Sequence, residues 1–271
     1  MNSEKKVAIL GGGNIGLAIA DGLINSNLFP AENIYITRKK TDLIKEYSNK
    51  GFNVTKDNIL AVKNSDVILV AVQPGQLNEL LQEISTVLDE KKHILISVVS
   101  GASIKVMKQL IGKEIPVIRA MPNTAIAIRE SMTCLSGENK TDDSLDIAKK
   151  IFDSVGQTLI IDEELMIPAT ALCACGIAFF LRAIRAASQG GIEIGFHSEE
   201  ALLMAAQTAK GAASLLVNME SHPEGEVDKV TTPRGCTISG LNQMEHYGFS
   251  SAMIRGIVTS AEKAAKLYKV D

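Results

Sequence analysis

The chain has 271 residues, 46% hydrophobic and 22% charged, enough for one large or two ordinary domains with a filled core, which excludes a disordered protein. A formal net charge of −3, 4% aromatic residues and no Trp exclude a basic field or a base-stacking surface for nucleic acid. Cys134, Cys173, Cys175 and Cys236 do not form the framework of a secreted disulfide domain; the Cys173-x-Cys175 pair has no second Cys/His cluster near it in sequence, so buried thiols, and no metal, are expected.

Residues 7–10 are a short apolar run, followed by Gly11-Gly12-Gly13-Asn14-Ile15-Gly16 and then apolar residues at helical spacing (Leu17, Ala20, Leu23, Ile24). This reads strand, tight turn, helix. Gly11, Gly13 and Gly16 fill a G-x-G-x-x-G spacing, in which the first glycine permits the turn, the second lets a pyrophosphate approach the backbone, and the third lets helix pack on strand. The helix N-terminus adds free N–H groups and a partial positive charge. Leu10, Gly11, Gly13, Asn14, Ile15 and Gly16 are therefore the candidate dinucleotide-phosphate residues.

Residues 33–37 predict a second strand, ending in Arg38-Lys39-Lys40. An NAD-binding unit usually carries an acidic residue at this point for the ribose hydroxyl. Basic residues suit the 2′-phosphate of NADP, so Arg38 and Lys39 are candidate NADPH contacts, with NADH also acceptable; a solvated basic loop is the alternative. Helices are predicted over 43–50 and 57–64, with a short extended piece at 51–54. The apolar run 67–72 reads as a strand buried on both faces and ending in Gln73-Pro74-Gly75. Ligands bind at the carboxyl ends of such strands, which makes Ala71, Val72, Gln73 and Pro74 candidate cofactor residues. Helices over 77–88 and 103–111 alternate with strands at 93–99 and 115–121, the latter ending in Met121-Pro122-Asn123-Thr124. Strands at 132–136 and 158–161 flank a helix near 144–155. Alternation to about residue 162 implies an α/β, Rossmann-like doubly wound sheet.

From residue 163 the pattern is all-helical, with helices predicted over 165–189, 198–219, 232–246 and 250–269. Several are apolar on more than one face, as over 201–213, and must be buried; a hundred residues cannot bury them alone, so a dimer interface is expected. The division is thus 1–162, dinucleotide-binding, and 163–271, substrate binding and dimerisation. The apolar run 166–181 is shorter than a typical membrane span, contains Pro168 and ends at Arg182; together with an N-terminus lacking a secretory pattern it reads as part of a soluble cytoplasmic protein.

Thr231-Thr232-Pro233-Arg234-Gly235-Cys236-Thr237-Ile238 predicts a helix start, with Thr232 as cap and Pro233 in the first turn. Free N–H groups near Gly235, Cys236 and Thr237, with the Thr232 and Thr237 hydroxyls, would cradle a small carboxylate. Taken by itself the pattern is only a capped helix.

The whole chain resembles the pyrroline-5-carboxylate reductase family. The residues carrying the resemblance are the glycine turn, Ala71-Val72-Gln73-Pro74, Arg119-Ala120-Met121-Pro122-Asn123-Thr124, Gln207-Thr208-Ala209-Lys210-Gly211-Ala212-Ala213, His222-Pro223, and Thr232-Pro233-Arg234-Gly235-Cys236-Thr237-Ile238 followed by Met244-Glu245 and Gly248. Arg234 replaces a family glycine, Gln73 a lysine, and Cys173-Ala174-Cys175-Gly176-Ile177-Ala178 a Ser-Gly-Ser-Gly-Pro-Ala helix start. The resemblance implies reduction of Δ1-pyrroline-5-carboxylate to proline with NADPH or NADH, in a homodimer or assembly of dimers built through the C-terminal helices. It places the substrate carboxylate on Thr232, Gly235, Cys236 and Thr237, Thr237 beside the ring nitrogen as the catalytic candidate, and Asn58, Ser100 and Asn123 near the cofactor. The rival activities are a 3-hydroxyacid dehydrogenase, whose lysine is missing between Lys150 and Lys210, and a non-catalytic NADPH-binding protein with a decayed substrate site.

Overall fold

The structure is a computed structural model describing residues 5–138, 143–219 and 221–266. Among these, β1 (Val7–Leu10), β2 (Ile34–Thr37), β3 (Asn53–Thr55), β4 (Val67–Val70), β5 (Ile94–Ser97), β6 (Val117–Met121), β7 (Ser131–Ser136) and β8 (Gly156–Ile160) form one sheet in the order β3-β2-β1-β4-β5-β6-β7-β8. Every pairing is parallel except the antiparallel β6–β7. The chain order reverses direction across the sheet between β1 and β4, which makes the carboxyl ends of these strands the switch-point crevice of a doubly wound fold.

The first six strands are joined by α1 (Asn14–Asn25), α2 (Lys45–Asn49), α3 (Asn58–Lys63), α4 (Leu77–Ser85) and α5 (Ile104–Ile111), and α6 (Asp143–Asp153) joins β7 to β8. Side chains alternate across a strand. Val7 and Ile9 of β1 enter one buried cluster, with Leu23 and Phe152; Ala8 and Leu10 enter the other, with Leu77, Leu81 and Met107. All four β1 side chains are fully buried, which explains why the strand reads as a continuous apolar run. Asp57 and Ser103 cap α3 and α5, accepting from the N–H of Leu60 and Val106.

The helical region contains α7 (Met166–Ala169), α8 (Gly176–Glu193), α9 (Ser198–Met219), α10 (Pro223–Lys229), α11 (Cys236–His246) and α12 (Phe249–Ala264). The helix predicted over 165–189 is neither uniform nor so short. It holds a widened turn of i→i+5 type over Thr170–Cys175 between α7 and α8, where the Thr170 hydroxyl bonds back to the Met166 carbonyl at 2.8 Å, a bond that loosens the backbone ladder. By length and apolar composition the continuous run Glu163–Glu193 suffices to cross a membrane, contrary to the length argument from sequence. Helix α10 is started by Pro223 at its first turn with His222 as cap, where the sequence pattern shows only a break between helices. Part of the helix predicted over 250–269 lies outside the described residues.

The chain divides into two compact units, one of residues up to Cys175 together with those from Ser260, the other Gly176–Thr259. The division falls later than 162/163 because Met166 and Ala169 pack with Met121 and Cys134 at the sheet. Within the second unit, α8 and α9 lie against each other, with Gly191 admitting Ala201 so closely that an added Cβ would sit 3.0 Å from the alanine methyl.

Candidate active site

The crevice at the switch point has a volume of about 450 Å³ and is floored by Gly11, Gly12 and Gly13. Gly11 has φ +114°, and a Cβ there would lie 2.5 Å from the Ala71 carbonyl oxygen. Two demands thus meet at this residue: a backbone angle open to glycine and a close approach by the end of β4. The Gly11 and Gly12 N–H groups both donate to the Thr37 carbonyl, at 3.2 and 2.7 Å, and Gly13 N–H to Gly11 O at 2.9 Å. A Cβ at Gly13 would meet nothing within 4 Å, whereas one at Gly16 would strike the Gly11 carbonyl. Gly13 is therefore open to an incoming group, and Gly16 is the close helix–strand contact.

Helix α1 begins on Gly13, with no side chain capping it. Among the described residues, the N–H groups of Asn14, Ile15 and Gly16 make no backbone bond outside the helix. Three free donors, an open glycine and a partial positive charge fit the pyrophosphate of a dinucleotide.

The rim of the crevice is basic. Arg38, Lys39, Lys40 and Lys56 line it, and Arg38 Nη1 donates to the Gly12 carbonyl at 2.7 Å. Ala71, Val72 and Gln73 form part of the wall, as does Asn58, whose amide donates to Glu83 Oε2 at 2.9 Å. Leu10, Asn14, Ile15 and Gly16 are not wall residues; the Leu10 side chain is fully buried and its carbonyl accepts from Ala71 N–H at 2.8 Å. Pro74, Ser100 and Asn123 are not wall residues of this crevice. Ser100 touches Met121 Sδ at 3.8 Å. Asn123 is engaged in its own turn, accepting from Ala125 N–H at 3.0 Å and donating to the Cys173 carbonyl at 3.4 Å. Lys40, part of the basic run read as suiting a 2′-phosphate, is also on the wall, as are Lys56, Gln76, Glu79 and Glu83, which the sequence pattern does not single out as contacts; Lys56 follows a strand too short and polar to announce itself.

In the second unit, Thr232 does not cap a helix. Gly235 N–H donates to the Thr232 carbonyl at 2.9 Å, closing a four-residue turn, and α11 starts only at Cys236, on Gly235. Pro233 stands at the first central position and Arg234 at the second, with φ +63°. That angle is one glycine adopts freely and arginine holds at a cost of about 1 kcal/mol. The Gly235 N–H is thus spent, correcting the expected set of donors. Those of Cys236 and Thr237 have no backbone partner outside the helix among the described residues. Gly235 is small for an internal reason too: a Cβ there would come within 2.5 Å of the Thr232 hydroxyl. The Thr237 side chain is half-buried at this helix start.

The first unit also joins two cysteines far apart in sequence. The Cys134 and Cys173 sulfurs lie 4.0 Å apart. Hydrogen bonding from Cys134 holds the Cys173 thiol below its ordinary range, at about 7, and pushes Cys134 up. Arg119, predicted only as a motif residue, is buried and pairs with Glu163 Oε1 at 3.2 Å, which also accepts from Ile104 N–H at 2.7 Å. Burial lowers the Arg119 pKa and Glu163 opposes the shift.

A doubly wound sheet with a glycine phosphate turn at its switch point, followed by an all-helical region, defines a two-part protein of the dinucleotide-binding class. Residues 163–267 match the family model "Pyrroline-5-carboxylate reductase dimerisation" and residues 6–101 "NADP oxidoreductase coenzyme F420-dependent". The chain belongs to the pyrroline-5-carboxylate reductase family. It is 53% identical over 277 residues to pyrroline-5-carboxylate reductase 1 of Dictyostelium discoideum, covering 98% of this chain but 50% of that protein, so the chain spans half the length of this relative. It is 44% identical over 284 residues to pyrroline-5-carboxylate reductase 2 of the same organism, covering 98% of this chain and 94% of that one. A solved pyrroline-5-carboxylate reductase from Coxiella burnetii superposes with a TM-score of 0.91 at 27% identity, covering 98% of this chain and 100% of the other. Similarity along the full chain displaces the 3-hydroxyacid dehydrogenase reading.

Proposed function

We propose that the chain reduces Δ1-pyrroline-5-carboxylate to L-proline with NADPH, in the cytoplasm, as a homodimer or an assembly of dimers. The observation that carries this reading is family similarity from β1 to α12 combined with two uncapped helix starts, one able to take a pyrophosphate and one a carboxylate. Bound at the first, NADPH supplies the hydride. The chain's own part is orientation: a cyclic imine protonated on nitrogen is already electrophilic, so positioning and exclusion of water matter more than a strong acid. The N–H groups of Cys236 and Thr237 hold the carboxylate, and the Thr237 hydroxyl accepts from the ring N–H and directs it.

Phe180, Leu181, Leu203 and Ile254 of the helical unit are each more than half exposed in the single chain. Such a load of exposed apolar side chains supports a second copy covering them, and reads Glu163–Glu193 as an interface helix rather than a membrane span. The test is NADPH oxidation by purified protein with pyrroline-5-carboxylate, beside the reverse reaction on a 3-hydroxyacid. Turnover of the imine is the result expected; turnover of the hydroxyacid alone, or of neither, would overturn the reading.

A further inference from the structure

We propose that Lys56, on the loop between β3 and α3, is a specificity-determining residue that holds the 2′-phosphate of NADP(H) jointly with Arg38. The proposal rests on the dinucleotide reading of the switch-point crevice and extends its phosphate site to a second loop.

The placement follows from sheet register. In the parallel β2–β3 pair Thr37 stands opposite Thr55, so the next residues along the two strands are Arg38 and Lys56. The pairing continues past the strand ends, since Arg38 N–H donates to the Thr55 carbonyl at 3.1 Å. Neighbouring parallel strands lie about 4.8 Å apart. Two cations are therefore set side by side at the carboxyl edge of the sheet, both on the wall of the crevice that Gly11, Gly12 and Gly13 floor.

Arg38 and Lys56 carry like charge, which a carboxylate partner would offset. Among the described residues neither Arg38 nor Lys56 forms an ion pair; the side-chain bond of Arg38 goes to the Gly12 carbonyl. The carboxylates on the crevice wall are Glu79 and Glu83 of α4, and Glu83 accepts from Asn58. Lys39 and Lys40 add two more cations to the same rim. A dianionic group bound by Arg38 and Lys56 offsets both charges and uses donors the chain leaves free. The ribose hydroxyl of NAD does not. The arrangement discriminates by charge: Arg38 is anchored to the glycine turn and offers a directed fork, while Lys56 supplies a compact charge from the opposite strand.

The experiment is calorimetric titration of the full chain and its variants with NADP+, NAD+ and 2′-AMP, which reads binding without turnover. Lys56→Ala is expected to weaken NADP+ and 2′-AMP about tenfold, the loss of one charge-assisted contact at an exposed site, and to change NAD+ less than twofold. Lys56→Glu should weaken NADP+ further, and Lys56→Arg should restore most of it. Unaltered NADP+ affinity in Lys56→Ala, or equal losses for NADP+ and NAD+, overturns the role of Lys56. Wild-type protein that binds neither dinucleotide overturns the reading of the crevice itself, and is distinguishable because the failure precedes any substitution.

Discussion

The guanidinium of Arg38 donates to the carbonyl of Gly12 at 2.7 Å, so the residue that faces a 2′-phosphate also braces the turn beneath the pyrophosphate. This alters what its removal does. Arg38→Ala should weaken NADP+ by ten- to a hundredfold, as one lost charge-assisted contact implies, and should weaken NAD+ as well, by a few-fold, because the glycine turn loses a fastening. Lys39→Ala, at an exposed lysine of the same rim, should spare NAD+. Titration of both variants with both dinucleotides checks the contrast; NAD+ affinity unchanged in Arg38→Ala would mean that the brace carries no weight.

Gly11→Ala should be among the most damaging single changes in the first unit. The new Cβ must clear the Ala71 carbonyl at 2.5 Å and hold φ +114°. Strain of this kind costs about 1–3 kcal/mol before any clash is counted. A fall in the urea midpoint with loss of dinucleotide binding is the expected result. Gly13→Ala meets open space and should keep the fold while weakening binding, a difference that equilibrium unfolding and titration together resolve.

At the second helix start, Thr237→Ala keeps the backbone donors and removes the hydroxyl. Turnover of pyrroline-5-carboxylate should fall by more than tenfold, while binding of proline, a saturated carboxylate analogue, changes little. Gly235→Val has a different lesion from simple obstruction. Its side chain collides first with the Thr232 hydroxyl, so the turn opens and proline binding is lost; Thr232→Ala in the same chain should partly restore it. Loss of proline binding in Thr237→Ala to the same degree would remove the distinction between hydroxyl and backbone.

Cys173 should alkylate at a pH unusual for a thiol. With the Cys134 thiol donating to it, its charged form is favoured down to about pH 7, so the rate of iodoacetamide labelling should rise with pH through a midpoint near 7. Cys134→Ala removes the donor, and the midpoint should rise toward the ordinary range near 8.5. Peptide-resolved mass spectrometry reads the two cysteines separately.

Leu203, in the second turn of α9, is 70% exposed in the single chain. Leu203→Glu should shift sedimentation from a dimer or larger species toward a monomer while NADP+ still binds the first unit. An unchanged mass would place the interface elsewhere.

The fold was legible because β1, β4 and β5 are buried on both faces and so carry unbroken apolar runs, and because the glycine spacing marks where the first strand turns. What was not legible depends on long-range contact. Nothing local joins Lys56 to Arg38; only the β2–β3 register does. Cys134 and Cys173 meet because β7 turns antiparallel and the widened turn over Thr170–Cys175 packs on it. At Thr232 the local pattern pointed to a helix cap, but Pro233 also suits the first central position of a tight turn, and the hydrogen bond from Gly235 decides between them. Leu10 entered the phosphate set by adjacency alone, although its side chain belongs to the core.

Both helix starts assigned to ligands rest on a glycine with no side chain to cap them, Gly13 for α1 and Gly235 for α11. The missing cap is then supplied by the ligand. In the free protein the amides of Asn14, Ile15, Cys236 and Thr237 should exchange with deuterium rapidly, since each lacks an acceptor. NADP+ should slow the first pair and proline the second, each without the other. Amide exchange thus turns an omission in the sequence into separate reporters of the two binding events, readable without any catalytic cycle.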